Sequence, residues 1–339
     1  MIIKRKRNRI IPAMVLPAVL LLVSCGGTSG QRGTVQSSSA ASEQTAVLPD
    51  GADQSAGRVS AGSPDGPWPG DEERIVLKLA STLSPEMGAL SALSDFTEEV
   101  YAMTGGRIDI QIYPSSQLGD QVDYMRGVKE GTVEMCLVST GPIPSFSKKT
   151  ANWGVLDLPY LFKNAEQAYE VLDGEVGQTL LDEFEGSGIK ALGFWENGFR
   201  DLTNDKKEIA TPADLAGMKI RTMENKVHMA TYTALGANPS PLAWGEIFSA
   251  LQQGTVDGQE NPLPTIEAQK FYEVVKYVTL TNHIICPSMF FVNNDVWESL
   301  SDHDKEVVQT AVDNAIAWEN QAVLDSEDEL KTKTARLNE

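Results

Sequence analysis

Two arginines stand where the chain passes from apolar to polar. Arg221 closes the apolar run Met218-Lys219-Ile220, and Arg200 lies in Trp195-Glu196-Asn197-Gly198-Phe199-Arg200, just past the run 189–194. A guanidinium close to buried strands needs an anionic partner, because an unpaired buried charge is costly. Its planar fork matches a carboxylate through two parallel hydrogen bonds. Two kinds of partner satisfy that need: a carboxylate brought by a ligand, or one of the chain's own 47 Asp and Glu side chains. The strand context leaves both open.

The other reactive side chains assemble into no catalytic pattern. The sequence holds no Gly-x-x-x-x-Gly-Lys-Ser/Thr phosphate loop, no Gly-x-Ser-x-Gly nucleophile turn and no His-Glu-x-x-His pair. His228, His283 and His303 are far apart, and none has a metal-ligating neighbour four residues on; they read as structural or exposed. Carboxylates are numerous enough to supply an acid–base pair, yet no spacing marks one. Cys136 and Cys286 lie in apolar runs without a Cys-x-x-Cys pair, and are expected as buried free thiols. No metal, no cofactor and no enzymatic activity is expected. The formal net charge of −19 argues against a nucleic-acid partner, which demands a basic face, and suits a protein outside the cell.

The body that must carry the arginines is delimited by composition. Residues 1–9 contain five basic and no acidic side chains, an apolar stretch from Ile10 to Val23 follows, and then Ser24-Cys25-Gly26-Gly27. That succession is the pattern of a secretory leader. The stretch is short for a membrane span, and no later run is long enough. Leu22-Val23-Ser24-Cys25 resembles a lipobox, so residues 1–25 are expected to be a lipoprotein signal peptide, with lipid on Cys25 tethering the chain to the membrane. Residues 26–73, rich in small and polar side chains, are expected as a flexible linker.

From Arg74 onward strands and helices alternate. Ile75 to Leu79 reads as a strand, Leu90 to Met103 as a helix closed by Gly105-Gly106, and 107–112 as a half-buried strand. Helix 121–129, strand 133–138, one or two helices over 165–184 and strand 189–194 continue the pattern. An α/β fold with largely parallel pairing follows. Ligands of such sheets bind beyond the carboxyl ends of the strands, where Arg221 stands. The echo of Gly131-Thr132-Val133-Glu134 in Gly254-Thr255-Val256-Asp257 is compatible with two lobes of similar build, or with the ordinary use of Gly as a helix stop. Ser301-Asp302-His303-Asp304 has the form of a capping box and predicts a long helix from there to about Leu330.

Several ordered segments are similar to a known family. Gln117-Leu118-Gly119-Asp120, Gly131 to Glu134, Val155 to Phe162, Leu202-Thr203-Asn204, Thr211 to Arg221 and Ala250 to Pro262 resemble the substrate-binding subunits of tripartite ATP-independent periplasmic (TRAP) transporters, the DctP family. The likeness runs from about Ile75 to the late helix. It implies a two-lobed periplasmic-binding-protein-like fold with a central cleft, hinge strands and a long lobe-spanning helix. Lobe I would cover 74–197 with a returning segment near 286–300, lobe II 198–285, and the helix 301–331.

The resemblance also implies a site. Arg221 corresponds to the family's carboxylate-clamping arginine, Arg200 to a second arginine, and Asn261 to an amide on the same carboxylate. Trp244 falls where an aromatic lies against the ligand. Ser139 and Thr140 match a polar ligand-facing pair, Thr82 and Ser84 follow the first strand, and Trp195 and Glu260 are expected as wall or supporting residues. The implied protein is extracytoplasmic, lipid-anchored and monomeric. It captures a small organic acid, such as a sugar, hydroxy or keto acid, and delivers it to the large and small TRAP membrane subunits. A ligand-sensing lipoprotein that presents the acid to a membrane receptor is the alternative. Family members carry further elements after the long helix, whereas this sequence stops at Glu339, so those elements are expected to be missing.

Overall fold

The structure, a computed structural model, describes residues 59–60 and 73–336. The expected signal peptide with Cys25, and all of the expected linker except Val59, Ser60 and Glu73, lie outside the described residues. In chain order the strands are β1 (Val59–Ser60), β2 (Ile75–Ser81), β3 (Ile108–Tyr113), β4 (Met135–Ser139), β5 (Ile189–Trp195), β6 (Arg200–Asn204), β7 (Lys219–Thr222), β8 (Asn238–Pro241), β9 (Gly258–Pro262), β10 (Tyr277–Thr279) and β11 (Ser288–Asn293). The helices are α1 (Ala89–Met103), α2 (Gln121–Glu130), α3 (Ile143–Phe146), α4 (Ala165–Leu172), α5 (Glu175–Asp182), α6 (Lys226–Ala234), α7 (Ile247–Gln253), α8 (Leu263–Ala268), α9 (Asn294–Ser299) and α10 (Asp302–Arg336). Among the described residues the strands form two sheets, in the orders β1-β3-β2-β4-β11-β5 and β10-β6-β9-β7-β8. The short β1, inside the segment read as a linker, pairs antiparallel with β3.

Parallel crossovers build the first sheet. β2 is parallel to β3 and to β4, so a helix must carry the chain back each time; α1 and α2 do so. α1 turns Leu90, Leu93, Phe96 and Val100 inward at three- and four-residue spacing. α2 starts on Asp120, whose Oδ1 accepts the N–H groups of Val122 and Asp123, and stops at Gly131 in the left-handed conformation. Alternation along the strands sorts side chains between two cores. Met135, Leu137, Phe290 and Val292 join the cluster of α1 and α10, whereas Cys136, Val138, Met289 and Phe291 join that of α2 and Trp153. Cys136 and Cys286 are buried free thiols.

The pairing is mixed rather than largely parallel. β11 is antiparallel to β4 and β5, and β6 is antiparallel to β9 and β10. The cause is the chain's path: it leaves the first sheet after β5, builds the second from β6 to β10, and returns as β11. The outgoing and returning segments run side by side, with Phe199 bridged to Ile285 and the Arg200 N–H donated to the Ile284 carbonyl at 2.9 Å. The sequence echo is structural. Gly131 and Gly254 end their helices with φ of 75° and 71°. The fourth residue of each motif, Glu134 or Asp257, accepts a strand N–H at 2.8 Å, from Lys78 or Lys219 respectively.

α10 spans both lobes. Its 35 residues measure about 50 Å, and it packs on α1 and β5 of the first lobe and on α8 of the second. Ser301 and Asp304 cap its start reciprocally, with the Ser301 hydroxyl 2.7 Å from the Asp304 carboxylate. Asn320 accepts the Glu196 N–H at 3.0 Å where the chain first crosses between sheets. No helix among the described residues is long and apolar enough to cross a membrane.

Candidate functional site

The carboxyl ends of the parallel strands β2 and β4 in one sheet and β7, β8 and β9 in the other, with the amino end of the antiparallel β6, face one cavity. From the first lobe, β2 leads into Thr82, and β4 ends on Ser139; from the second, Arg221 stands on β7, Arg200 on β6 and Asn261 on β9, with Trp244 just past β8. The topology therefore gathers side chains scattered over 180 positions into one space, as open α/β sheets do.

Arg221 is 3 % exposed. Its Nε and Nη2 both donate to the Leu242 carbonyl, at 3.0 and 2.7 Å, in the turn that leads to Trp244. That one neutral acceptor aims the guanidinium without balancing its charge. Among the described residues no carboxylate lies within ion-pair distance of it. Burial, and then the positive charge of Arg200, pull its pKa down to about 9. The group stays charged at neutral pH, at a cost that an incoming anion relieves.

Arg200 is buried as well, but it is matched. Its Nε and Nη2 reach the Glu260 carboxylate, and Nη2 also donates to the Glu260 carbonyl. Of the two partners open to Arg200 it takes a protein acid. The two side chains meet because β6 and β9 are antiparallel neighbours with Leu202 opposite Glu260, which leaves Arg200 and Glu260 on one face, a diagonal apart. Burial alone would raise the Glu260 carboxyl; the Arg200 charge, joined by a hydrogen bond and charge from His228, holds it well below the usual carboxylate range.

The pair opens into a larger buried cluster. His228 Nδ1 and His283 Nε2 each lie 3.6 Å from the Glu260 carboxylate. His228 Nε2 is 3.0 Å from Asp157. Asn225, the cap of α6, donates to Asp157 at 2.6 Å and to the Gly141 carbonyl at 2.7 Å. Gly141 and Asp157 precede β5 and pack with the first sheet, whereas α6 belongs to the second, so this cluster ties the lobes together.

Of the residues expected at the site, Arg221, Arg200, Asn261, Trp244, Ser139 and Thr82 line the cavity. Asn261 gives one amide hydrogen to Gln259 Oε1, which leaves a second N–H. Glu260 is the counter-ion of Arg200 rather than part of the wall. Trp195 is core: it is 1 % exposed and sits edge-on to Phe290 at 5.2 Å, on the sheet face covered by α1 and α10. Thr140 is fully buried, its N–H on the Pro287 carbonyl and its hydroxyl toward Cys286. Ser84 accepts from Gln269 at 3.0 Å and lies outside this lining. The lining also holds residues that sequence reasoning missed, among them Asp120, Gln121 and Glu224. An acid followed three residues on by another reads as a helix cap, which describes what Asp120 does for α2 but not where that helix end points. Gln121 Oε1 accepts both the N–H and the hydroxyl of Ser139, at 2.9 and 2.6 Å.

Residues 79–338 match the family described as bacterial extracellular solute-binding protein, family 7 (DctP). A solute-binding protein of Verminephrobacter eiseniae is 43 % identical over 237 residues, 70 % of this chain and 70 % of that protein. The crystal structure of a TRAP periplasmic solute-binding protein from Polaromonas sp., bound to D-erythronate, is similar with a TM-score of 0.74 at 39 % identity, covering 78 % of this chain and 86 % of that one. The sugar acid binding protein of Advenella mimigardefordensis, in complex with galactonate, gives a TM-score of 0.75 at 35 % identity, with 79 % and 86 % covered.

Proposed function

The chain belongs to the DctP family of bacterial extracellular solute-binding proteins, and from that premise we propose that it captures a small organic acid by its carboxylate, between the two lobes, and hands it to a TRAP-type secondary transporter. The observation that carries this reading is Arg221: a buried guanidinium, aimed by a neutral carbonyl, lining a cavity and without an ion-paired acid among the described residues. The carboxylate ligands of the two solved relatives, D-erythronate and galactonate, point the same way. In the proposed mechanism Arg221 grips the carboxylate with both arms of its fork, Asn261 adds an amide N–H, and Trp244 covers the ligand body. Thr82 and Ser139 complete the site from lobe I, so that the ligand favours the closed form by contacts that the open form lacks.

Replacing Arg221 by Ala is expected to weaken binding by about 2–5 kcal/mol, because the ligand carboxylate is then desolvated without a partner. Arg221→Lys should recover only part of this, since an ammonium cannot form the paired bonds. Titration calorimetry reads both, and unchanged affinity in the Ala variant would remove the clamp from the mechanism.

In the same proposal residues 74–197 with 286–300, and residues 198–285, move as the two lobes, and the helix over 301–331 bridges them. The protein acts as a monomeric binder that returns its ligand unaltered. Lipid on Cys25 holds it outside the cell membrane; Cys25→Ser should shift it from the membrane to the soluble fraction, and a variant still sedimenting with membranes counts against the anchor.

A further inference from the structure

The cavity's charges are unequally shared between its walls. Its cationic lining residues are Arg200 and Arg221, and the charge of Arg200 is matched by Glu260. Arg221 is therefore the lining cation that no carboxylate among the described residues meets at ion-pair distance. The lining also includes two carboxylates, Asp120 from the first lobe and Glu224 just past β7. Asp120 caps α2 with one oxygen only: the bonds from Val122 and Asp123, at 3.0 and 3.2 Å, both end on Oδ1. Its other oxygen takes no part in the cap. Next to it, Gln121 spends its amide oxygen on Ser139, so the Nε2 end takes no part in those bonds. The lobe I wall thus offers a hydroxyl acceptor and an amide donor, with a negative charge and no cation.

We propose that the cavity selects monocarboxylates that carry hydroxyl groups away from the carboxylate, and that Asp120 is the specificity-determining residue: it accepts a ligand hydroxyl and repels a second carboxylate. This rests on the reading of Arg221 as the clamp. A monoanion matches the Arg221 guanidinium. A dianion of the same length places its second carboxylate against Asp120 with no cation to receive it, and juxtaposed like charges weaken binding strongly. An acid without hydroxyls leaves the polar wall unpaired, which sites built on hydrogen bonds reject.

The test uses the purified full-length protein and calorimetry over matched sets: D-erythronate, tartrate, butyrate and erythritol at four carbons, and galactonate, galactarate, hexanoate and galactitol at six. In the set that fits, the hydroxylated monoacid is expected to bind at least about 100-fold more tightly than the diacid and the unhydroxylated acid. Asp120→Asn keeps an N-cap residue of equal quality, so the fold is retained while the charge is lost. It should narrow the monoacid-to-diacid ratio at least about tenfold. A diacid that binds as well as the monoacid overturns the selectivity and leaves the Arg221 reading standing. An unchanged ratio in Asp120→Asn overturns the role of Asp120. Neutral polyols binding as well as the acids, or no acid binding at all, overturns the clamp and the inference with it.

Discussion

Two arginines of the same chemistry reach opposite settlements. Arg200 is buried with Glu260, and Arg221 is buried with no ion-paired acid among the described residues. The first is a structural pair whose value lies in not being broken: removing one partner of a buried ion pair leaves an uncompensated charge, at a cost of about 3–5 kcal/mol. Glu260→Gln is therefore expected to lower unfolding stability in urea by about that amount. The double change Arg200→Met with Glu260→Met should cost much less, because no charge is stranded. Equal losses in the single and double variants would show that packing, not charge pairing, holds this place. Arg221 behaves differently, since its missing partner is the proposed ligand. Arg221→Ala should leave the unliganded fold as stable as before or slightly more so, while binding is lost.

The site's geometry depends on how closely β6 and β9 approach. Gly258 faces Asn204 across that ladder, and a Cβ at Gly258 would stand 2.3 Å from the Thr203 carbonyl oxygen. Two backbones meet there, and neither is a flexible side-chain end that can step aside. Gly258→Ala is expected to destabilise by about 1–3 kcal/mol, as other overpacking changes do. It should also weaken ligand affinity, because Asn261 sits three residues along the same strand. Denaturant unfolding and calorimetry on the same preparation check both. A variant with unaltered stability would mean that the strands part without loss. At the other lobe the corresponding element is α2: its capped start sets Asp120 and Gln121 at the cavity, so a helix end does there what a strand end does for Arg221.

Across the whole molecule, proton binding is coupled to folding through groups along the lobe junction. Glu319 on α10 is 4 % exposed, and its Oε2 has no hydrogen-bond partner among the described residues; burial, then the charge of Glu196, push its pKa up to about 8. His228 is opposed by burial, but Asp157 and Glu260 push it up to about 9. Both bind their protons more tightly folded than unfolded. Their stabilisation is thus complete below the unfolded values of 4.5 and 6.5, and is lost as pH rises through about 8 and about 9. His283 has the opposite sign: burial holds it down to about 4, so its contribution, complete above 6.5, is lost as pH falls through about 4. The melting temperature is expected to fall by about ten degrees between pH 6.5 and 9, a loss on the order of 5 kcal/mol from the two groups together. Glu319→Gln should flatten part of that slope. A profile that rises over the same window contradicts the assignment.

What the sequence by itself determined was local. The glycine stops at Gly131 and Gly254, the cap at Ser301, the strand alternation and the order of elements are set by residue types within a turn or two of each other. The ordered segments around Arg221 and Asn261 were legible for the same reason. Only the tertiary structure decided who meets whom. Glu260 is sixty residues from Arg200 and reaches it because β6 and β9 become neighbours. Trp195 faces the core rather than the cavity after the irregularity in the β5–β11 register. The returning β11 turned an expected parallel sheet into a mixed one, and the start of α2 brought Asp120 to a wall that no spacing along the chain reveals. Pairing and burial depend on which distant elements become adjacent, and that information is carried by the packing of the whole chain, not by any one stretch of it.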